Sequence, residues 1–181
     1  GGMSRVYLAV REDGFQRMVA LKVIRRGLKS EDLLHRFRTE RQILAGLDHP
    51  NIAKLLDGGS TEDRMPYFVM EHVPGVPLTG YCDSKGLDTP DRLELFIQIC
   101  EGVQHAHQKA IIHRDLKPSN VLIMEQDGKP LPKIIDFGVA KAMDQPLTEK
   151  TMYTEMGQLI GTPEYMSPEQ TDFSSEGIDT R

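Results

Sequence analysis

Cysteine is scarce: Cys82 and Cys100 are the only two among 181 residues, too few for a disulfide framework and without metal-ligand spacing. Both read as reduced cytosolic thiols that pack, Cys100 on an apolar helix face. Long hydrophobic runs are missing as well. None approaches the ~18 residues of a membrane span, and no signal peptide opens the chain. Nor is there an excess of positive charge. A net charge of −5 and a pI of about 5.7 remove the electrostatic case for nucleic acid or an anionic membrane as the main partner. Internal repeats, coiled-coil heptads and low-complexity tracts are absent. What is present is an ordinary globular composition, 39% apolar, long enough to bury a single core. The first residue is Gly1 rather than Met, as expected of a piece cut from something longer.

The centre of the chain is the stretch 111–123, Ile-Ile-His-Arg-Asp-Leu-Lys-Pro-Ser-Asn-Val-Leu-Ile. Its apolar ends, Ile111-Ile112 and Val121-Leu122-Ile123, predict short buried strands bounded by polar residues. Between them Arg114, Asp115, Lys117 and Asn120 crowd one loop, which Pro118 keeps from continuing as a helix or a central strand. Such a loop is costly unless Asp115 and Asn120 must converge on one point.

The chain before it offers further candidates. Gly1-Gly2, ahead of an alternating strand, is either a plain hairpin turn or a loop whose N–H groups can lie over phosphates. After the turn Glu12-Asp13-Gly14, a strand over 18–24 carries Lys22 among apolar neighbours. That ammonium either faces outward at an edge or meets a buried anion. Ser30-Glu31-Asp32 opens a helix running to about Leu47, with Leu33, Phe37, Leu44 and Leu47 as its apolar stripe. Glu40 lies on or beside that stripe, as a solvated charge or as the partner of Lys22. His49-Pro50-Asn51 ends the helix, and strands over 52–56 and 66–70 follow, joined by a turn region at Gly58-Gly59.

The prolines and glycine within 71–77 mark a boundary between a β-rich part and a helix-rich part. Asp88-Thr89-Pro90-Asp91 starts a second long helix, to about Gln108, with Leu93, Phe96, Ile97, Cys100 and Val103 as its apolar stripe. His105 and His107 have no Cys or carboxylate spaced to join them as metal ligands. Asp127-Gly128 turns the chain into Lys133-Ile134-Ile135, and Asp136-Phe137-Gly138 follows directly. The segment 140–160 has no clear period and reads as a mobile loop. Gly161-Thr162-Pro163-Glu164-Tyr165-Met166-Ser167-Pro168-Glu169 closes it.

In this order, Val19-Ala20-Leu21-Lys22, His113-Arg114-Asp115-Leu116 with Asn120, Asp136-Phe137-Gly138 and the 161–169 motif resemble protein kinases of the eukaryotic-like serine/threonine type, in wording similar to bacterial members. The resemblance spans essentially the whole chain. It implies an α+β, two-lobed protein-kinase fold: a small β-rich N-lobe over 1–71, a hinge over 72–77 and an incomplete helical C-lobe over 78–181. It also implies transfer of the ATP γ-phosphate to Ser/Thr hydroxyls of protein substrates, with Mg2+, or Mn2+ in its place, as the metal.

By the same resemblance, Asp115 would accept or orient the substrate hydroxyl proton and Lys117 would steady the γ-phosphate. Asp136 would hold one metal ion bridging the phosphates and Asn120 a second, since oxygen ligands suit a hard cation. Lys22, tethered by Glu40, would meet the α- and β-phosphates, with Gly1 and Gly2 above them. Val6, Ala20 and Leu122 would sandwich adenine, while Glu71 and Val73 supply hinge backbone hydrogen bonds and Met70 takes the gatekeeper position. Lys117 and the Gly161-Thr162-Pro163 motif imply Ser/Thr rather than Tyr substrates, with Thr162 packed near Asp115 and Lys117. Arg114 and Lys141 would form a basic pocket for a phosphate on Thr151 or Thr154. Glu169 would pair with an arginine from a later helix.

The glycine loop departs from the family pattern: it lacks the first glycine and has Ser4 for the third, and Ser167 stands where alanine is usual. The chain stops at Arg181, before the further helices of a complete kinase domain, so a fragment is expected, inactive by itself. A non-catalytic, pseudokinase-like nucleotide-binding or scaffold module is the competing expectation; Lys22, Asp115, Asn120 and Asp136 stand against it. A small-molecule phosphotransferase is disfavoured by the segment after Thr162, a peptide platform such an enzyme would not need. The implied partners are ATP and protein substrates, with neither nucleic acid nor membrane contact in this segment. The implied location is the cytoplasm, as a free protein or as the cytoplasmic part of a longer membrane-tethered one.

Overall fold

The apolar run around Lys22 does produce a strand, and it lies inside an antiparallel sheet. The computed structural model describes residues 4–12, 14, 16–24, 31–113, 115–137 and 163–165. Strands β1 (Ser4–Arg11), β2 (Arg17–Ile24), β3 (Leu55–Ser60) and β4 (Pro66–Glu71) form one sheet in the order β1-β2-β4-β3. Helix α1 (Glu31–Ala45) packs on it: the Phe37 ring meets Phe68 of β4 edge-on, centroids 4.9 Å apart. Phe37, Leu44 and Leu47 are buried, as the helical spacing requires.

A second sheet has the order β5-β6-β7, from β5 (Val76–Pro77), β6 (Val121–Gln126) and β7 (Lys129–Ile134). Asp127 and Gly128, with φ of 51° and 74°, make the two-residue turn between β6 and β7, the hairpin geometry that Asp-Gly favours. Helix α2 (Leu78–Ser84) leads to α3 (Thr89–His107). The Asp88 carboxylate caps α3 by accepting the Asp91 N–H at 3.0 Å, with Pro90 in the first turn. No helix among the described residues is long and apolar enough to cross a membrane.

The two sheets are joined by the connection between α1 and β3. Ile134 N–H donates to the Asn51 carbonyl at 2.8 Å and Ala53 N–H to the Ile134 carbonyl at 2.9 Å, a short parallel bridge. Buried Asn51 adds an Nδ2 bond to the Pro132 carbonyl at 2.9 Å. Buried amides are costly unless satisfied, so these bonds fix the register of the connection.

Several sequence expectations need correction. Ile111-Ile112 is not a strand. The Ile111 N–H donates to the Ala106 carbonyl at the end of α3, and β6 takes β5 and β7 as partners instead. Gly58-Gly59 is no turn but part of β3; a Cβ on Gly58 would meet Arg41 Cδ at 2.9 Å and one on Gly59 the Tyr67 hydroxyl at 2.7 Å. The turn comes later, where Arg64 N–H and Met65 N–H donate to the Thr61 carbonyl and hydroxyl. The strand expected over 52–56 begins only at Leu55.

Helix α3 presents a different stripe from the one expected. Leu95, Ile99, Gly102 and Ala106 face inward, while Leu93, Phe96, Ile97 and Cys100 are exposed. Both sets have helical spacing. The small residues decide between them, because Gly102 lets α3 approach β7 until a Cβ there would lie 3.1 Å from Ile134 Cδ1. Helix α2 was not anticipated at all.

Candidate active site

Two polar groups lie near each other, linked through His113 and Ile135. The first is built on β2 and the end of β7. Lys22 is buried, and its Nζ forms an ion pair with Asp136, two residues beyond β7. A buried ammonium of this kind is tolerated only with such a partner. Asp136 has φ of 67°, the left-handed region that a non-glycine residue adopts at a cost. Phe137 is buried behind it, and with Lys22, Leu44, Phe68 and Met70 it lines an apolar cavity.

The second group is the loop after α3. Asn120, at the end of the 3-10 turn Pro118–Asn120, donates through Nδ2 to the Asp115 carbonyl at 2.8 Å and to Asp115 Oδ2 at 3.3 Å. Lys117 Nζ lies 3.3 Å from the same Oδ2. Asp115, Lys117 and Asn120, separated by Pro118 in the chain, therefore do converge.

His113 stitches the two groups together. Its Nε2 is 3.0 Å from the Ile135 carbonyl, its Nδ1 accepts the Asp115 N–H at 3.3 Å, and its ring packs on Phe137 at 4.7 Å. This pattern needs one donor and one acceptor, hence a neutral imidazole protonated at Nε2. Burial pushes its pKa below the usual histidine value, outweighing the Ile135 carbonyl and the nearby Asp115 and Asp136 carboxylates. Ile135 N–H in turn donates to the Asn120 carbonyl at 2.9 Å.

The remaining candidates divide. Val6 pairs in register with Lys22, and Ala20 with Leu8 and Met70, so Val6, Ala20, Lys22 and Met70 share one face of the first sheet. Leu122 lies on the second sheet, opposite Lys133. Val73 is buried in the crossing between the sheets, and its carbonyl accepts the Gly75 N–H at 2.9 Å. Glu71 N–H donates to the Lys54 carbonyl at 2.8 Å. Gly1, Gly2, Arg114, Lys141, Thr151, Thr154, Thr162 and Glu169 lie outside the described residues, and of Glu40 only its place on α1 is described. The described partner of Lys22 is Asp136.

Sequence reasoning passed over Lys133. It is buried, and its Nζ lies 3.0 Å from Glu71 Oε1. The signal was available: like Lys22, it is a lysine within an apolar strand. The contacts between His49 and His105, rings 5.2 Å apart, were also missed.

Fold and site together define the class: a two-lobed kinase fold, its lysine-bearing sheet facing an aspartate-bearing loop. The family described as "Protein kinase domain" matches residues 1–180, and the chain belongs to that family. It is 37% identical over its whole length to serine/threonine-protein kinase PknB of Mycobacterium leprae, and 40% identical over 94% of its length to serine/threonine-protein kinase PrkC of Bacillus subtilis. The chain spans 28% and 25% of those two proteins. Among solved structures, it resembles the kinase domain of PknI from Mycobacterium tuberculosis, with a TM-score of 0.60 and 29% identity over 76% of this chain and 54% of that one.

Proposed function

We infer that the chain carries the phosphoryl-transfer site of a serine/threonine protein kinase, using ATP and acting on Ser/Thr hydroxyls of protein substrates. One observation carries this reading: the Lys22–Asp136 pair stands beside the Asp115–Lys117–Asn120 cluster, and both are tied to Ile135 and His113. Phosphoryl transfer asks mainly for alignment and charge stabilisation, which such a cluster supplies.

Asp115 takes or holds the proton of the attacking hydroxyl, with its carboxylate steered by Asn120. Lys117 faces the transferred phosphoryl group, and Lys22 the remaining phosphates. The Asp136 carboxylate and the Asn120 amide oxygen are hard oxygen donors that fit Mg2+, the Asn120 Nδ2 being already directed to Asp115. Mg2+, when bound, neutralises phosphate charge. Val6, Ala20 and Leu122 flank the adenine, and the 72–77 crossing is the hinge between lobes over 1–71 and 78–181. Arg114 and Lys141 receive a phosphate carried by Thr151 or Thr154, and mass spectrometry of the active full-length protein should find it. A need for ATP places the site in the cytoplasm, in a free protein or the inner part of a membrane-tethered one.

The test is radiolabel transfer from ATP to a generic basic protein by a complete domain containing this chain. Asp115→Asn should lower turnover by about 10²–10⁴. Wild-type rates in that variant would refute the assignment. ATP binding without any transfer by the wild type would instead support the non-catalytic module.

A further inference from the structure

The two sheets are bridged by a second ion pair, of opposite polarity to the first. Where β2 of the first sheet sends a cation, Lys22, to Asp136, the end of β4 sends an anion, Glu71, to Lys133 on β7. Lys133 Nζ lies 3.0 Å from Oε1 and donates to Oε2 at 3.1 Å, with the two side chains only 11% and 21% exposed. Oε2 also accepts the Lys54 N–H at 3.1 Å, and Glu71 N–H returns a bond to the Lys54 carbonyl at 2.8 Å. The side chain and the backbone N–H of Glu71 are thus engaged, which fixes the direction in which the chain leaves β4.

Lys133 also stands in a telling row. Pro77, Leu122 and Lys133 are directly opposed across β5, β6 and β7, so their side chains leave the same face of that sheet. This is the face that carries Leu122. Downstream of Glu71 the crossing is held again, where Val76 pairs with Ile123. The segment 72–75 is consequently pinned at both ends to the second sheet, by an ion pair at one and by a strand ladder at the other.

We propose that Lys133, through Glu71, is a positioning residue for the nucleotide: it sets the hinge backbone against which adenine is bound. This rests on the reading of the site as an ATP site. The described contacts of the pair are with Lys54 and each other, apart from the Asp115–Lys117–Asn120 cluster, so its loss acts on nucleotide affinity rather than on the chemical step. A charge-assisted contact with several donors on one carboxylate is strong and geometrically exacting, and removing the Glu71 charge leaves the buried Lys133 ammonium without its counter-ion.

The experiment compares wild type, Lys133→Met, Glu71→Gln, the double variant and Lys133→Arg in a complete domain. It measures ATP dissociation constant, KM for ATP, kcat at saturating ATP and thermal midpoint. Both single variants should raise the ATP dissociation constant and KM by about tenfold while kcat stays within about threefold. The double variant should be no worse than the poorer single one, since the two act as one unit, and Lys133→Arg should stay near wild type. Should Lys133→Met fail to fold, Glu71→Gln, which keeps an acceptor for Lys54 N–H, carries the same test. A lower kcat or thermal midpoint with unchanged ATP affinity would show a merely structural pair and overturn the proposal. So would additive losses in the double variant. A wild type that binds no ATP would overturn the functional reading and the inference together; a wild type that binds ATP equally well with all the variants would overturn the inference alone.

Discussion

Asn120 holds Asp115 at two points, its Nδ2 lying 2.8 Å from the backbone oxygen and 3.3 Å from Oδ2. The first bond shapes the loop and the second orients the carboxylate. Asn120→Ala removes both and leaves Asp115 to Lys117 and its other contacts. Misplacing a reacting group by about 1 Å costs on the order of 10² in rate. A drop of about that size in kcat is therefore expected from steady-state assays of a complete domain, and a loss below about threefold would contradict the role.

His113 makes stability depend on pH. Its folded pKa lies below 6.5 because burial disfavours the charged ring. Between the folded value and 6.5 the unfolded chain binds the extra proton, so stability rises with pH across that window and is level above it. His49 is shifted the same way, by burial first and then by His105. Thermal midpoints of a complete domain, followed from about pH 5 to 8, should fall on the acid side. His113→Gln, neutral throughout, should reduce that slope; an unchanged slope would rule His113 out as a contributor.

Gly75 is needed for close approach. A Cβ there would lie 2.7 Å from the Ile123 carbonyl oxygen and 2.9 Å from its carbon, both backbone atoms that cannot swing aside. Gly75→Ala should push the crossing off β6 and destabilise the protein by roughly 1–3 kcal/mol, the usual cost of overpacking. Denaturant melts would measure it, and an Ala variant as stable as wild type would show that β5 and β6 can separate freely.

Leu93, Phe96 and Ile97 form an outward apolar face on α3, with exposures of 54%, 58% and 57%. A contiguous patch of this kind promotes association. The 181-residue chain expressed by itself should elute as oligomers or aggregates. Phe96→Glu with Ile97→Glu should shift it toward monomer on size-exclusion chromatography. A monodisperse, monomeric wild-type chain would contradict this expectation.

Much of the chemistry was legible from residue type and spacing. Asp115, Lys117 and Asn120 lie within six positions, so chain connectivity alone keeps them close, and a proline between them limits how they can be arranged. The helices over 31–45 and 89–107 were visible because local periodicity and the Asp88 cap are properties of adjacent residues. Long-range decisions were not visible in this way. Two helical stripes on α3 satisfy the same period, and only the approach of Gly102 to Ile134 selects Leu95 and Ile99 for the core. Glycines at 58 and 59 signal a turn locally, yet their pairing with Phe68 and Tyr67 of β4 makes them strand, with Arg41 and Tyr67 close where side chains would stand. By its sequence neighbours Lys22 could either face outward at an edge or meet a buried anion, with Glu40 as the candidate; it took the folded chain to bring Asp136, 114 positions away, to its ammonium. Glu71 and Lys133, 62 positions apart, meet for the same reason. Sequence settles what each residue can do, through its charge, shape and local propensity; tertiary structure settles which groups share a point in space, because burial makes an unpaired charge too costly to leave alone.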